Sequence, residues 1–277
     1  MTTALRQVDL AIGVDADLGD ELAAGVHGPC PADLAGFEQA FMAVVEAAHV
    51  DRDTAWDAFY DATLRRVGRD WGRDVPGSGT VAGFTRIWTR AAGLSRGSSA
   101  LDIGTCFGFL PLAWSQRPAA PRLLAVDLSR ESAALAARQA RRLGGAVGVV
   151  CADGARLPLP DRSVSTVHLL HVLEHLPPAL ANAVLGEALR VADRRVVVAV
   201  PVESRPDPLY GHVQAFDLAS LAALGRQTAW HAETTAADGA WLVLDRPVSP
   251  SSATSGAGRA ALSGRRPRPG ASRRASP

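Results

Sequence analysis

His171, Glu174 and His175 spell H-x-x-E-H. On a continuous helix two imidazoles four residues apart share a face, which is the spacing zinc ligation needs and matches a zinc-hydrolase signature. The same side chains also suit proton transfer. An imidazole titrates near neutrality, so His171 and His212, the latter in "YGHVQAFD", are candidate general bases. Glu174 can orient one of them or cap a helix near its positive end. A second group lies upstream. Asp102, Gly104 and Gly108 sit in "LDIGTCFGFL", Asp127 closes "LLAVD", and Asp153 and Gly154 sit in "VCADGARLPLPDRS". Glycines at a strand-to-helix turn let a ligand come close to the backbone, and a carboxylate at a strand end can accept its polar hydrogens.

The elements that must position these residues can be read from periodicity. Short apolar runs at 99–104, 122–127, 146–151, 164–170 and 195–200 predict strands. Between them "SRESAALAARQARRLG", N-capped by Ser129, and "PALANAVLGEALRVA" predict helices. Strand and helix in alternation predict a parallel sheet with helices on both faces, a doubly wound α/β fold. A helix near 217–225 and strands at 227–233 and 240–246 follow, the last two close enough for a hairpin with one reversed member. H-x-x-E-H follows the 164–170 run at once. That places it at the end of a parallel strand, so the expectation is no metal and a proton-transfer role.

Upstream, Trp56, Tyr60, Leu64, Val67 and Trp71 recur at spacings of four and three and predict one helix face, with Asp53 as its N-cap. A helix around Phe37 to Ala48 precedes it, and a third runs through Phe84, Ile87 and Trp88. The expected organisation is an N-terminal arm over 1–30, a helical lid or acceptor region over 31–95, the α/β domain over 96–246 and a basic tail over 247–277. The tail has six arginines, no acid and almost no large apolar residue. Such a segment cannot offset its ordering entropy by burial and is expected to be disordered.

The chain has 277 residues, 47% hydrophobic and 21% charged, which is ordinary for a soluble globular protein. Its net charge is only +1, which argues against general attraction to nucleic acid or an acidic membrane. All 29 basic residues are arginine, a bias that suggests a GC-rich coding genome and is not by itself evidence of phosphate binding. Cys30, Cys106 and Cys151 are scattered and form no disulfide framework. With no leader-like or membrane-length apolar run at hand, a cytoplasmic setting is the expectation.

Three nucleotide-binding loops compete for the glycine turn. A P-loop is excluded, because no Gly-Lys followed by Ser or Thr closes it. A dinucleotide fingerprint needs a second glycine two residues after the first, and Cys106 followed by Phe107 crowds that place. The series of Asp102-x-Gly104-x-x-x-Gly108, Asp127, Asp153 and "HVLEHLPP" resembles the class I S-adenosylmethionine-dependent methyltransferases across roughly 96–246. The resemblance implies a seven-stranded Rossmann-like sheet with its last hairpin reversed. It implies that Asp102, Gly104 and Gly108 line the methionine end of the cofactor, that Asp127 holds the ribose, and that Asp153 with the backbone at Gly154 holds the adenine. Two departures stand out: Cys106 replaces the middle glycine, and Val164-Ser165 replaces a frequent Phe-Asp at the fourth strand.

The helical region has Trp56, Phe59, Tyr60, Trp71, Phe84 and Trp88, flat faces that could meet a sugar or an aromatic ring, although core packing accounts for most residues at helical spacing. "VDRDTAWDAFYDATLRRVGRDW", "TVAGFTRIWTRAA", "LDIGTCFGFLPL" and "YGHVQAFDL" are similar to the mycofactocin oligosaccharide methyltransferases. That resemblance implies O-methylation of a glucose hydroxyl on a β-1,4-linked glucan, so the expected partner is a glycan or other small-molecule acceptor. A natural-product or quinone-type methyltransferase, or a non-catalytic S-adenosylmethionine-binding module, would share the same cofactor motifs.

Overall fold

The computed structural model describes residues 17–29, 34–73 and 79–247. The expected tail beyond Pro247 and most of the expected N-terminal arm lie outside these residues, as does Cys30. Within the arm, where periodicity gives no firm signal, Leu18–Ala23 forms a short helix, α1. Three longer helices follow: α2 (Leu34–Ala47), α3 (Arg52–Asp70) and α4 (Thr80–Leu94). The N-cap of α3 is Asp51, not the expected Asp53. Its carboxylate accepts the Thr54 amide at 2.8 Å, whereas Asp53 is already in the first helical turn. The orphan amides of α4 are satisfied from α1, since Asp20 accepts from Thr80 N at 2.6 Å and Asp17 from Val81 N at 2.7 Å.

The α/β alternation then begins: β1 (Ser99–Ile103), α5 (Phe109–Ser115), β2 (Arg122–Asp127), α6 (Arg130–Arg142), β3 (Val147–Cys151), β4 (Val164–Leu170), α7 (Pro178–Val191), β5 (Ala192–Val200), α8 (Leu218–Arg226), β6 (His231–Ala236) and β7 (Ala240–Asp245). All seven strands form one sheet in the order β3-β2-β1-β4-β5-β7-β6. Strands β1 to β5 pair in parallel, and β7 runs antiparallel between β5 and β6, so β7 is the reversed member of the hairpin. The doubly wound, seven-stranded fold read from the sequence is the observed one. Two strand starts differ by several residues: β5 begins at Ala192 instead of 195, and β6 begins at His231 instead of 227. The last turn of α8 needs Gln227 and Thr228 to close onto the Leu224 and Gly225 carbonyls, which leaves them unavailable to the sheet.

Side-chain alternation along the strands separates two cores. Ala100, Ala125, Val197 and Ala199 face the layer that contains α3 and α5. Leu101, Ile103, Val196 and Val198 face α7 and α8. The N-terminal helices therefore share a core with one face of the sheet. Trp56, Phe59 and Tyr60 are fully buried in it, so these three expected acceptor faces are packing residues, while Trp71, Phe84 and Trp88 are half-buried. Two polar links hold the layer in place. Tyr60 Oη donates to the Phe107 carbonyl at 2.8 Å, and Arg138 of α6 grips Asp57 of α3 with two bonds at 2.6 and 3.0 Å.

The strand order reverses between β1 and β4, which is the topological switch point of such a sheet. Ligands bind in the crevice outside the carboxyl ends of the strands there. Asp102, Asp127, Asp153 and His171 all stand at those ends.

Candidate cofactor and active site

The loop after β1 is shaped by three left-handed residues, Gly104 (φ +70), Cys106 (φ +52) and Gly108 (φ +74). Close approach explains the two glycines. A Cβ on Gly104 would lie 2.7 Å from Val172 Cγ2, and one on Gly108 would lie 3.0 Å from Ala136 Cβ. The first contact brings the loop against the segment that follows β4; the second lets α6 close over the loop. Cys106, although not a glycine, also takes the left-handed conformation. A left-handed non-glycine residue costs about 1–2 kcal/mol. The Cys106 amide donates to Asp127 Oδ2 at 2.7 Å, and a bond to a charged group contributes about as much, roughly 1.5–3 kcal/mol.

Asp127, at the end of β2, also accepts the Ser129 amide at 2.8 Å. Burial raises its carboxyl above the ordinary value in spite of these amides. Asp102 is only 7% exposed, and its carboxylate accepts the Thr105 hydroxyl at 2.7 Å. Burial pushes its carboxyl up to about 7, with the neighbouring Asp127 adding to the effect. Asp153, beyond β3, turns its Oδ1 onto the Ala155 amide at 2.9 Å and meets Arg156 at 3.2 Å. A Cβ at Gly154 would stand 2.9 Å from Ile103 Cγ2, so only glycine lets this loop lie against the end of β1. The six residues predicted to bind cofactor thus line the carboxyl ends of β1, β2 and β3. The three glycines let the loops pack closely against Val172, Ala136 and Ile103, and two carboxylates, Asp102 and Asp127, are desolvated at the end of the sheet.

The second cluster lies across the switch point. H-x-x-E-H does not occupy a continuous helix, contrary to the geometry that places both imidazoles on one face. Leu173–His175 forms a single 3-10 turn, and His171 stands before it with φ +55 while its amide pairs with the Ala199 carbonyl at 2.8 Å. Its ring meets Phe84 of α4 edge-on at 5.1 Å, its Nδ1 is 3.3 Å from Glu174 Oε1, and its Nε2 is buried with no hydrogen-bond partner. Glu174 is 1% exposed, and neither carboxylate oxygen has a hydrogen-bond partner. It caps nothing. Its backbone carbonyl accepts the Val213 and Gln214 amides, which ties the segment after β5 to the end of β4.

That tie brings His212 into the cluster. The Glu203 carboxylate, 2.9 and 3.0 Å away, holds its Nδ1, and its ring packs edge-on against His175 at 4.8 Å. Burial, the largest influence, holds His175 below its ordinary value in spite of Glu174. One participant was not singled out in the sequence: Glu203 lies nine residues before His212 with no motif around it. His175, part of H-x-x-E-H, is set against His212 only by the fold. His168 is what the strand pattern implies: a buried sheet residue bonded to Ser95 Oγ at 2.9 Å and pushed down to about 4 by burial.

Glycine-turn cradle, strand-end aspartates and sheet order together define the doubly wound fold of class I methyltransferases. Residues 100–194 match the family profile described as a methyltransferase domain. The chain is an S-adenosylmethionine-dependent methyltransferase, with S-adenosylmethionine as its cofactor. No curated protein matches it by sequence. Among solved structures, the (4+2)-cyclase SpnF is similar over 68% of this chain and 93% of its own, with 18% identity and a TM-score of 0.52, a likeness of fold. Magnesium protoporphyrin IX methyltransferase from Synechocystis PCC 6803 with bound SAM has 20% identity over 72% of this chain and 99% of its own, with a TM-score of 0.48. A SAM-dependent methyltransferase from Aquifex aeolicus has 18% identity over 58% and 86%, with a TM-score of 0.46. No helix among the described residues is long and apolar enough to cross a membrane.

Proposed function

We propose that this enzyme is an O-methyltransferase that acts on a glucose hydroxyl of the mycofactocin oligosaccharide, with His171 as the base. The observation that carries the placement of the base is His171 itself. It ends β4 beside the glycine loop, is held in a left-handed backbone conformation, and has a buried ring nitrogen without a partner. Non-glycine residues in such conformations cluster at functional sites. When bound, S-adenosylmethionine supplies an electrophilic methyl group on its sulfonium. Asp127 accepts from the ribose hydroxyls, Asp153 accepts from the adenine amino group, and Asp102 with the Gly104–Gly108 backbone faces the methionine end. His171 takes the proton of the acceptor hydroxyl, and α4, through Phe84, walls the side from which the acceptor enters. Glu174 and His212 shape the floor beneath His171. The four sequence stretches similar to the mycofactocin enzymes support the glycan as acceptor.

A small aromatic acceptor of the natural-product or quinone type is the second reading, favoured by Phe84 and Trp88. Both are half-buried, and they stack at 5.6 Å in α4 beside His171. Labelled S-adenosylmethionine incubated with glucans, quinones and mycofactocin extracts separates the two. Label in an oligosaccharide fraction supports the first reading, and label confined to quinones refutes it. With the accepted substrate, His171→Ala is expected to lower kcat about 10²–10⁴-fold, the range of a lost general base, while cofactor affinity stays within a few-fold. Full turnover in that variant removes His171 from proton transfer.

A further inference from the structure

Beneath His171 lies a group of donors that methyl transfer by positioning and a base does not require. Glu174 is the most unusual of them. A carboxylate 1% exposed, with neither oxygen hydrogen-bonded and His171 Nδ1 3.3 Å from Oε1 as its ion-pair neighbour, is a costly arrangement, since a buried charge needs pairing and hydrogen bonds or a metal. Donor atoms of Glu174, His175 and His212 all lie within 4.8 Å of one another. They come from two segments, the 3-10 turn after β4 and the loop after β5, which the Glu174 carbonyl joins through Val213 and Gln214.

We propose that Glu174, His175 and His212 bind one divalent transition-metal ion of the zinc class. Two imidazoles and one carboxylate are the donor set such ions prefer, and three protein ligands leave a coordination position open. Bond lengths near 2.0–2.2 Å place tetrahedral donors about 3.4 Å apart, so the present spread of up to 4.8 Å needs closure by up to about 1.4 Å, within the reach of side-chain rotation. One histidine is already held as a ligand is. Glu203 engages Nδ1 of His212 at 2.9 Å. That ring therefore has one nitrogen fixed by an outer carboxylate, the carboxylate–histidine–metal arrangement that sets tautomer and orientation. The ion would compensate the Glu174 charge and pin the 203–214 loop to the end of β4. His171 stays outside the ligand set, with its Nδ1 3.3 Å from Glu174.

The sequence argues against zinc here because H-x-x-E-H follows a parallel strand. The third donor comes from 37 residues downstream of His175 and is visible only once the chain is folded. The test uses the full-length protein, stripped with chelator and titrated with Co²⁺ alone. Binding is read by calorimetry and by the visible absorption of tetrahedral cobalt, with S-adenosylmethionine affinity measured on the same samples. The expected result is one Co²⁺ per chain and a rise in melting temperature on binding. Glu174→Gln, which preserves shape, should abolish measurable binding, and Glu203→Gln should weaken it about 10–100-fold, as loss of an outer partner does. Binding equal in wild type and Glu174→Gln, or none in a folded wild type, overturns the proposal. Cofactor affinity that persists in the stripped protein leaves the methyltransferase reading intact whichever result is found.

Discussion

Asp102 offers a stability experiment whose sign and size follow from its surroundings. Its carboxyl is buried on β1, has the Thr105 hydroxyl as its hydrogen-bond partner, and is pushed from an ordinary 3.8 to about 7. The shift of about three units corresponds to about 4 kcal/mol at roughly 1.4 kcal/mol per unit. Because the folded-state value is raised, the folded protein holds a proton that the unfolded chain releases between about pH 4 and 7. Stability therefore falls as pH rises through that window, and the cost of ionising the buried group is fully present above pH 7. Asp102→Asn removes the titration and keeps an oxygen for Thr105. The variant should match the wild type near pH 4 and exceed it in unfolding free energy by about 4 kcal/mol at pH 8. Urea unfolding of both proteins at several pH values between these limits measures the difference, in which carboxylates remote from Asp102 cancel. A difference that stays constant within about 1 kcal/mol over the range would refute the reasoning.

Two further outcomes are expected. Asp127→Ala should weaken S-adenosylmethionine roughly ten- to a hundredfold, because it removes the proposed ribose acceptor together with the anchor of the Cys106 and Ser129 amides, bonds of about 1.5–3 kcal/mol each; calorimetric titration reads it, and unchanged affinity sinks the ribose assignment. Tyr60→Phe leaves the Phe107 carbonyl without its bond from α3 and should cost about 1–3 kcal/mol, read as a lower melting temperature, whereas an unchanged melting temperature would show that this link between helix and glycine loop contributes nothing.

The alternation of short apolar runs with amphipathic helices determined the doubly wound sheet, because parallel strands buried on both faces must be apolar and their crossovers helical. The same local logic placed Asp102, Asp127 and Asp153 at strand ends, where chain direction alone carries them to the ligand-binding edge. The N-cap of α3 went to Asp51 over Asp53 because capping depends on backbone angles that composition does not reveal. Cys106 was read as a departure from a glycine motif, and only the folded loop shows that it adopts a left-handed conformation with Asp127 holding its amide. The histidine cluster was least legible. H-x-x-E-H reads as one helix face, yet β4 ends in a left-handed residue and the turn after it is a single 3-10 turn. His212 and Glu203 join that turn through backbone bonds from the Glu174 carbonyl to a loop nearly forty residues away. Periodicity encodes what neighbours in the chain do to one another. The meeting of distant loops at a sheet edge is decided by packing, and so tertiary structure alone assembled this site.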